Sequence, residues 1–433
     1  MMTPRSVKIL VAGEILLALD GIRSFRSNDG GQTWTDLELD SNSVKQNIFP
    51  AVAVDENTFY RAGEFGIYRT TDTGNSWHPF MDGIVGTKIR DLTAFNDGFY
   101  AYTGSEIVQS IDGGETWKSV QVNPKLIAGE QSHLSLSFNS RLTLTNGGLH
   151  AIVPEKNNLH ILHLSMGDNT LIPIQGTPTF DGEVLSPELW AAIAKAEGIN
   201  VPDDIEKDAK AMKALRSLAT FMITGGFAIS DEIVYVENQR RLFKWKPGDP
   251  EWTNTGLIDL GKQPDEDLQN GFKLAASGET VYVGKRAGQL FQSLDAGDTW
   301  KDITSSLPLP FTRFNEIVFA GSTVYVATDT GVLSSQDTEN WRVLIDRADQ
   351  PVVIDRLAIN HTNVYGAGDT GIYRLDDRSR WKQMAASVPD RVISLVVNNS
   401  RLYVATQHRG MFHIPLEEEE TLNADLLTQI PVP

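Results

Sequence analysis

The feature that most constrains the fold of this chain is an eight-residue stretch that returns along its length. Residues 27–34, 110–117 and 293–300 each carry the complete pattern S-x-D-x-G-x-T-W. A relaxed copy fills residues 70–77, and two copies that are one residue shorter end at Trp341 and Trp381. Where copies follow one another directly, they recur about every 40 to 48 residues, which is the period of a repeated supersecondary unit.

Each copy of the pattern has the residues of a tight turn between two strands. The aspartate accepts backbone N–H bonds, and the glycine supplies the positive φ that such a turn requires. The threonine and tryptophan begin the next strand, and we expect the indole rings of Trp34, Trp117 and Trp300 to be buried against their own sheets. None of these residue types is a nucleophile here or completes a metal cage, so they are assigned structural roles. The structural residues are Asp29, Trp34, Asp72, Trp77, Asp112, Trp117, Asp295 and Trp300.

The pattern resembles the Asp-box, or BNR, repeat of sialidases, sortilin-type receptors and photosystem II assembly factors. The resemblance covers nearly the whole chain outside residues 175–217, and it implies an all-β fold, a single β-propeller. Alternating apolar residues and turn signals indicate nine units of short strands, of which the last, residues 391–416, lacks a fourth strand. We therefore expect eight or nine four-stranded blades, and the pattern leaves open which number closes the ring.

The main departure from the repeat lies at residues 175–217, which carry the signals of an inserted helical hairpin. Ser186 and Pro187 suit the start of one helix. Pro202, followed by two aspartates, suits the start of a second. The hairpin is either a surface addition on the side of the propeller or a lid that docks a partner. The expected organisation is a propeller over residues 1–416, interrupted by this insertion, and an acidic C-terminal tail over residues 417–433.

Composition and charge narrow the possible partners and the location. The formal net charge is −18, which argues against nucleic acid and against insertion into an anionic membrane. Cysteine is absent, so disulfides and thiolate chemistry are excluded. Residues 7–19 are apolar, but Gly13 and Glu14 interrupt them, and they fit two strands better than a signal peptide. These features favour a cytoplasmic protein or a domain of a larger chain.

Strand direction predicts the face on which a ligand would bind. Strands alternate in direction within each unit, so the loops between units share a face with the hairpins joining second and third strands. The longer loops lie on that face. Basic residues stand where these loops enter the first strands, and pairing with Asp91, Glu316 and Asp355 is expected for them rather than a free anion clamp. The ligand-face candidates are Arg90, Lys273, Arg313, Arg356 and Arg391.

Three histidines close together in the sequence do not have the spacing of a metal site. His160 and His163 are three residues apart, so on a strand they face opposite sides, and His150 lies on the preceding strand. Phosphate-binding glycine loops and HExxH motifs are absent from the sequence. No metal and no cofactor are expected.

The sialidase resemblance is tested by the motifs that those enzymes carry. Their Arg-Ile-Pro motif is absent, and the basic candidates do not occupy matching positions in the repeat, which argues against a catalytic arginine triad. We predict a non-catalytic binding scaffold that recognises a protein or peptide through the inter-blade loop face. The alternative is a glycan-directed hydrolase or lectin of sialidase-like type. Two carboxylates about 5–10 Å apart in an open pocket, beside stacked aromatic side chains, would favour the enzyme.

Overall fold

The computed structural model is an all-β protein with one α-helix in its described part. That part comprises residues 8–19, 24–37, 51–63, 66–74, 78–79, 89, 91–95, 98–103, 107–112, 116–122, 141–145, 148–155, 158–164, 170–174, 176–178, 187–196, 224–262, 271–360, 362–388, 390–398, 400–407, 409–416 and 428–430. The helix is α1 (Pro187–Ala196), and a short 3-10 turn covers Thr304–Ser306. No helix among these residues has the length and apolar character that crossing a membrane requires.

The strands form four-stranded antiparallel units, which we number as sheets 1 to 9 in chain order. Sheet 1 contains β1 (Lys8–Ala12), β2 (Ile15–Leu19), β3 (Ser24–Ser27) and β4 (Thr35–Leu37), and sheet 2 contains β5 (Ala51–Ala53), β6 (Phe59–Gly63), β7 (Gly66–Thr70) and β8 (His78–Pro79). Sheet 3 contains β9 (Asp91–Phe95), β10 (Gly98–Tyr102), β11 (Ile107–Ser110) and β12 (Lys118–Ser119). An additional short strand, β13 (Gln121–Val122), precedes sheet 4, which contains β14 (Arg141–Thr145), β15 (Gly148–Glu155), β16 (Asn158–Leu164) and β17 (Thr170–Pro173). Sheets 5 to 7 contain β18 (Thr224–Ser230), β19 (Ile233–Asn238), β20 (Arg241–Trp245), β21 (Thr253–Ile258); β22 (Lys273–Ser277), β23 (Thr280–Gly284), β24 (Leu290–Ser293), β25 (Lys301–Asp302); and β26 (Phe314–Ala320), β27 (Thr323–Thr328), β28 (Val332–Ser335), β29 (Arg342–Asp346). Sheets 8 and 9 contain β30 (Arg356–Asn360), β31 (Asn363–Gly368), β32 (Gly371–Leu375), β33 (Arg380–Ala385); and β34 (Val392–Asn398), β35 (Arg401–Thr406), β36 (Met411–Pro415), β37 (Thr428–Ile430).

Each unit is an up-and-down meander whose register is fixed by tight hairpins. In sheet 6, Lys273 pairs with Gly284 and Ser277 pairs with Thr280, so only two residues turn the chain. In sheet 5 the two turn residues, Asp231 and Glu232, both have positive φ, the geometry that suits the twist of two-residue hairpins. Two outer strands also reach the next sheet by short parallel pairings, β13 with β17 and β29 with β33.

Seven of the sheets close into a ring, which identifies the architecture as a β-propeller. The first strands of sheets 3 to 9 are neighbours in chain order, and β34 of sheet 9 lies against β9 of sheet 3. At this closure Ser394 Oγ donates to the carbonyl of Leu92 at 2.8 Å, and Asn398 Nδ2 donates to the carbonyl of Gly98 at 3.3 Å. The expected eight or nine blades in one ring are therefore not confirmed. The ring closes through sheets 3 and 9 and bypasses sheets 1 and 2.

Sheets 1 and 2 pack on each other as neighbouring blades do. Leu10, Leu17 and Leu37 of sheet 1 form a core with Phe59 of sheet 2. Arg26 Nη1 of sheet 1 also donates to Thr73 Oγ1 of sheet 2 at 2.6 Å. The hydrophobic core of the molecule thus consists of layers between adjacent sheets, and each layer contains apolar side chains from the facing sides of two sheets.

Trp117 and Trp300 cover the preceding sheet rather than their own, and Trp34 is 43% exposed, which corrects the expectation from sequence. The indole N–H of Trp300 in sheet 6 donates to the carbonyl of Thr255 in sheet 5 at 3.2 Å. Trp117 of sheet 3 is half-buried in a core shared with Tyr403 of sheet 9. The reason is geometric, since these side chains project from the face of their sheet that packs against the preceding sheet. We call the face turned to the preceding sheet the leading face and the opposite one the trailing face.

The structure shows one helix in the expected insertion and one strand in the expected C-terminal tail. Helix α1 falls in the expected insertion, with Ile193 buried, while the second expected helix lies outside the described residues. Thr428–Ile430 pairs with β36 as the fourth strand of sheet 9, so the assignment of all of residues 417–433 to a tail is wrong at this point. A three-residue strand beyond a long connection has too little periodicity to be recognised in sequence.

Candidate functional site

The repeated turns are closed hydrogen-bonded units, as the turn of sheet 6 illustrates. Ser293 Oγ donates to Asp295 at 2.7 Å and accepts the N–H of Gly297 at 2.8 Å. Asp295 also accepts the N–H and the hydroxyl of Thr299, at 2.8 and 2.6 Å. The Thr299 hydroxyl and N–H, followed by the Ser293 hydroxyl, lower the pKa of Asp295 to about 2. The carboxylate therefore has its oxygens engaged by its own turn.

The same arrangement recurs in other sheets of the described chain. Hydrogen bonds from Ser27 and Thr33 lower the pKa of Asp29 to about 2, and those from Thr116 and Ser110 do the same for Asp112. In the relaxed copy, Thr70 Oγ1 donates to Asp72 at 2.7 Å, whereas Trp77 lies outside the described residues. We call the face of the molecule that carries these turns the turn face, and the face on which first strands begin the loop face.

Charged side chains at the starts of first strands converge within the ring. Glu316 of sheet 7 accepts the backbone N–H of Leu357 in sheet 8, and Asp91 of sheet 3 accepts that of Leu142 in sheet 4 at 3.0 Å. Arg356 Nε donates to the carbonyl of Ile393 in sheet 9 at 2.8 Å. These charges tie each first strand to the next sheet, so they hold the ring together from its inside.

Glu316 is the most unusual member of this group because it is a half-buried carboxylate with a raised pKa. Burial raises its pKa, while Arg356, the Leu357 N–H and Lys273 act to lower it and Asp91 acts to raise it further. These influences come from sheets 3, 6 and 8, so charged groups of three other sheets lie within electrostatic reach of Glu316. Lys273 and Arg356 are themselves buried.

A second group of charges surrounds Asp355 at the mouth of the ring. Asn315 Nδ2 donates to Asp355 at 3.3 Å and to the carbonyl of Ile354 at 2.9 Å. Burial raises the pKa of Asp355, whereas Arg356, Arg391 and Arg313 act to lower it and Asp369 acts to raise it. Arg313 and Arg391 are half-exposed on the loop face. The arrangement is a mixed-charge rim in which basic groups stand beside carboxylates.

The five basic candidates from the sequence therefore have different environments. Lys273 and Arg356 are buried in the ring, and Arg313 and Arg391 lie at its rim around Asp355. Arg90 lies outside the described residues. The described candidates lie within electrostatic reach of Glu316 or Asp355.

Sequence reasoning missed a buried ion triad on the loop face between sheets 5 and 6. Arg286 donates to Glu237 at 2.7 Å and to Asp259 at 2.9 Å, with every one of these side chains at most 5% exposed. Burial acts against the charge of Arg286, but Glu237 and Asp259 outweigh it and raise its pKa. Glu237 Oε2 also accepts the N–H of Phe272 at 2.6 Å. The available signal was Glu237 itself, an acid at the end of a second strand where sheet 6 has Gly284.

His150 and His163 form a tilted ring pair, and the part of the chain that the structure describes has no metal-binding cluster. His150 and His163 face each other across β15 and β16, with ring centroids 4.8 Å apart. Burial and the nearby His163 lower the pKa of His150 to about 4. His160 belongs to the other face of β16, and the described residues contain no group of three or more side chains that could hold a metal ion.

Comparison with known proteins finds solved structures that are partly similar to this chain. No protein-family model matches the chain, and no curated protein matches it. The computationally designed Ika8 protein is 13% identical, with a TM-score of 0.45 over 83% of this chain and 93% of its own. YCF48 bound to D1 peptide is 18% identical, with a TM-score of 0.33 over 77% and 94%. The GH74 enzyme of Niastella koreensis is 13% identical, with a TM-score of 0.33 over 93% and 80%.

These three likenesses are too distant to support an argument about this protein. Their TM-scores all lie below 0.5. The assignment of a propeller therefore rests on the contacts of the ring described above.

Proposed function

We propose that this chain is a non-catalytic propeller scaffold that binds a protein or peptide partner through its loop face. The observation that carries the proposal is the mixed-charge rim around Asp355, with Arg313 and Arg391 half-exposed beside it. Beneath the rim, Arg356 and Glu316 are hydrogen-bonded to the backbones of neighbouring sheets. A rigid floor with a patterned rim suits a polypeptide that presents both charged and backbone groups.

The proposal includes an interpretation of the repeated turns as Asp boxes of the type found in sortilin-like and photosystem assembly-factor propellers. Its support is that Asp29, Asp112 and Asp295 each accept hydrogen bonds from a serine and a threonine of their own turn. Such turns have little left to offer a ligand. The turn face is accordingly assigned to stability and the loop face to binding.

We further propose that the segment around α1 borders the binding face. Residues 176–178, which precede the helix, are tied to sheet 5, because the indole N–H of Trp252 donates to the carbonyl of Pro178 at 2.8 Å. The chain enters the insertion from the end of sheet 4, on the side where successive sheets are connected. The net charge of −18 disfavours nucleic acid as the partner.

The alternative function is a glycan-directed hydrolase or lectin, and one observation favours it. Glu316 has a raised pKa and lies within electrostatic reach of Asp91, and glycoside hydrolysis uses two carboxyl groups, of which the general acid has a raised pKa. Against this, Glu316 accepts the N–H of Leu357, and Asp91 accepts those of Leu92 and Leu142. Both carboxylates are thus engaged by backbone, which favours the scaffold.

The test combines partner capture with matched charge reversals on the two faces. Arg313→Glu with Arg391→Glu alters the rim, and Lys118→Glu with Lys301→Glu makes the same change of charge at exposed sites beside the turns. The scaffold proposal expects the rim variant to lose the captured partner and the control to retain it, with both folded. Turnover of a glycoside substrate that Glu316→Gln abolishes would instead establish the hydrolase, and equal retention by both variants would refute the assignment of the face.

A further inference from the structure

On the loop face, the loops between sheets touch the hairpins that join second and third strands. The backbone N–H of Arg286, in the hairpin of sheet 6, donates to Asp259 in the loop that precedes this sheet, at 2.9 Å. On the other side of the same hairpin, a Cβ on Gly288 would lie 2.9 Å from the carbonyl oxygen of Thr312. The hairpin of sheet 6 is therefore held between the loops on its two sides.

The hairpin of sheet 7 is held between its two loops in the same way. Thr330 Oγ1 in this hairpin donates to the carbonyl of Pro310 in the preceding loop at 2.8 Å. A Cβ on Gly331 would lie 3.0 Å from Pro351 in the following loop and 3.2 Å from Leu309 in the preceding one. The three loops between sheets 5 and 8 and the two hairpins thus form one continuous surface.

The side chains on this surface are largely apolar and reach the solvent. Leu260 and Val353, at its two ends, are each 40% exposed. Between them stand exposed prolines and a half-buried phenylalanine. Single exposed apolar residues are ordinary on a protein, whereas a contiguous set indicates an interaction site. We call the set the apolar arc, and its members are Leu260, Pro308, Pro310, Phe311, Pro351 and Val353.

The polar groups beside the apolar arc favour a partner that carries a carboxylate. Asp302 accepts the N–H and the hydroxyl of Thr304, at 3.0 and 2.6 Å. Asp346 accepts two backbone N–H groups of its own turn, at 2.8 and 2.9 Å. Arg347, in that turn, is exposed, and none of the described residues makes a hydrogen bond or an ion pair with its guanidinium. A guanidinium in this state suits a carboxylate from outside the chain.

We propose that the partner bound at the loop face presents an extended segment with large apolar side chains and a carboxylate, which lie on the apolar arc and on Arg347. This inference rests on the proposed function and adds the chemistry of the partner. Sheets 6 and 7 stand between Leu260 and Val353. Since sheets pack about 10 Å apart and an extended residue spans about 3.3 Å, about six residues cover the arc. Val353 is two residues from Asp355, so the same partner reaches the mixed-charge rim.

Apolar burial and the charge pair have different roles in this contact. The net charge of −18 opposes an acidic partner at long range. Burial of the apolar arc therefore supplies the affinity. The pair between Arg347 and the carboxylate acts at short range and fixes the position of the segment along the arc.

Selection of a random phage-displayed peptide library on the immobilised full chain tests the proposal. We expect the enriched peptides to combine large apolar residues with Asp or Glu. For a fluorescein-labelled copy of the enriched peptide, Val353→Asp should raise the Kd at least about tenfold, the effect of losing a hot spot. The matched control is Leu294→Asp, which should leave the Kd unchanged because Leu294 is 55% exposed on the turn face. Circular dichroism checks the fold of each variant, and Val353→Thr serves if Val353→Asp does not fold.

A second pair of variants tests the charge. Arg347→Glu should weaken binding of the labelled peptide, and Arg378→Glu, which makes the same change at an exposed site on the turn face, should not. Enrichment of basic peptides, or a Kd that Val353→Asp leaves unchanged, would overturn the inference. So would self-association that Val353→Asp abolishes in sedimentation equilibrium, because the arc would then bind a second copy.

The capture experiment separates this inference from the proposed function. A captured partner that is lost by the rim variant, Arg313→Glu with Arg391→Glu, and kept by Val353→Asp would leave the scaffold proposal standing and refute the apolar arc. A partner that both variants keep would refute both. Loss of the partner by each variant, with Leu294→Asp unaffected, is the expected result.

Discussion

The rings of Phe99 and Tyr403 lie 4.1 Å apart between centroids and join the third sheet of the chain to the last. Both side chains are at most 1% exposed, in a core to which Met411 and Ile89 also contribute. An aromatic pair of this kind adds to the apolar burial of the interface. The contact closes seven of the described sheets into a ring.

The buried triad predicts a large loss of stability when its cation alone is removed. Arg286→Ala leaves Glu237 and Asp259 buried without their partner, and we expect the free energy of unfolding to fall by about 3–5 kcal/mol. The triple variant Arg286→Met, Glu237→Gln, Asp259→Asn removes all three charges and should be more stable than Arg286→Ala. Urea denaturation of both proteins measures the difference. A single variant as stable as the wild type would show that the triad is not a structural unit.

Asp295 predicts a stability difference that depends on pH. Its folded pKa of about 2 lies below the ordinary value of 3.8, so its stabilising effect is present above that value and is lost as the pH falls toward about 2. Asp295→Asn should therefore lower the melting temperature at neutral pH and converge with the wild type in strong acid. Thermal melts over this pH range make the comparison. An identical difference at every pH would contradict a role for the charge.

His150 predicts a loss of stability in a milder acid range. Its folded pKa of about 4 lies below the ordinary value of 6.5, so the unfolded chain binds the proton more readily. Stability should consequently fall as the pH decreases from about 6.5 toward about 4, and His150→Gln should flatten this decline. Denaturation midpoints of the two proteins across this range provide the measurement. The matched control is His160→Gln, on the other face of β16, which should follow the wild type.

Ala296 predicts a stabilising substitution. This residue has a φ of 54°, a left-handed conformation that costs a residue with a side chain about 1–2 kcal/mol. The equivalent residue in sheet 1 is Gly30, with a φ of 67°. Ala296→Gly keeps the carbonyl that Tyr235 and Lys244 use and should raise the free energy of unfolding by about 0.5–1 kcal/mol after the greater entropy loss of glycine is subtracted. A decrease measured by urea denaturation would contradict this account of the turn.

The strand-rich fold could be predicted because the turn pattern and the alternation of apolar residues recur locally along the sequence. In the turn of Ser293, Asp295 and Thr299, the hydrogen bonds to the Ser293 hydroxyl and the Asp295 carboxylate lie within seven residues, so its geometry follows from adjacent side chains. Ring closure could not be predicted in this way. It depends on Ser394 and Leu92, which stand in ordinary alternating strands and carry no mark of being neighbours.

In the candidate site, too, only the features that follow from the repeat could be predicted. Arg356 and Glu316 both stand near the starts of first strands in adjacent sheets, so their proximity followed from the repeat. The burial of Arg356 did not, because the exposure of an inner side chain depends on how many sheets surround the ring. The triad of Arg286, Glu237 and Asp259 could not be predicted, because its members come from a hairpin, a second strand and a loop, at positions that the repeat does not align.

Closure of the ring between sheets 3 and 9 is the central claim, and a distance across that junction tests it most directly. The chain has no native cysteine, so Ile111→Cys in sheet 3 and Ser400→Cys in sheet 9, both at exposed positions on the turn face, accept spin labels without background. Electron double resonance should give a single short distance, that of labels on adjacent sheets. Sheets pack about 10 Å apart, so a ring in which sheets 1 and 2 stood between them would lengthen the distance by about 20 Å and contradict the closure described here.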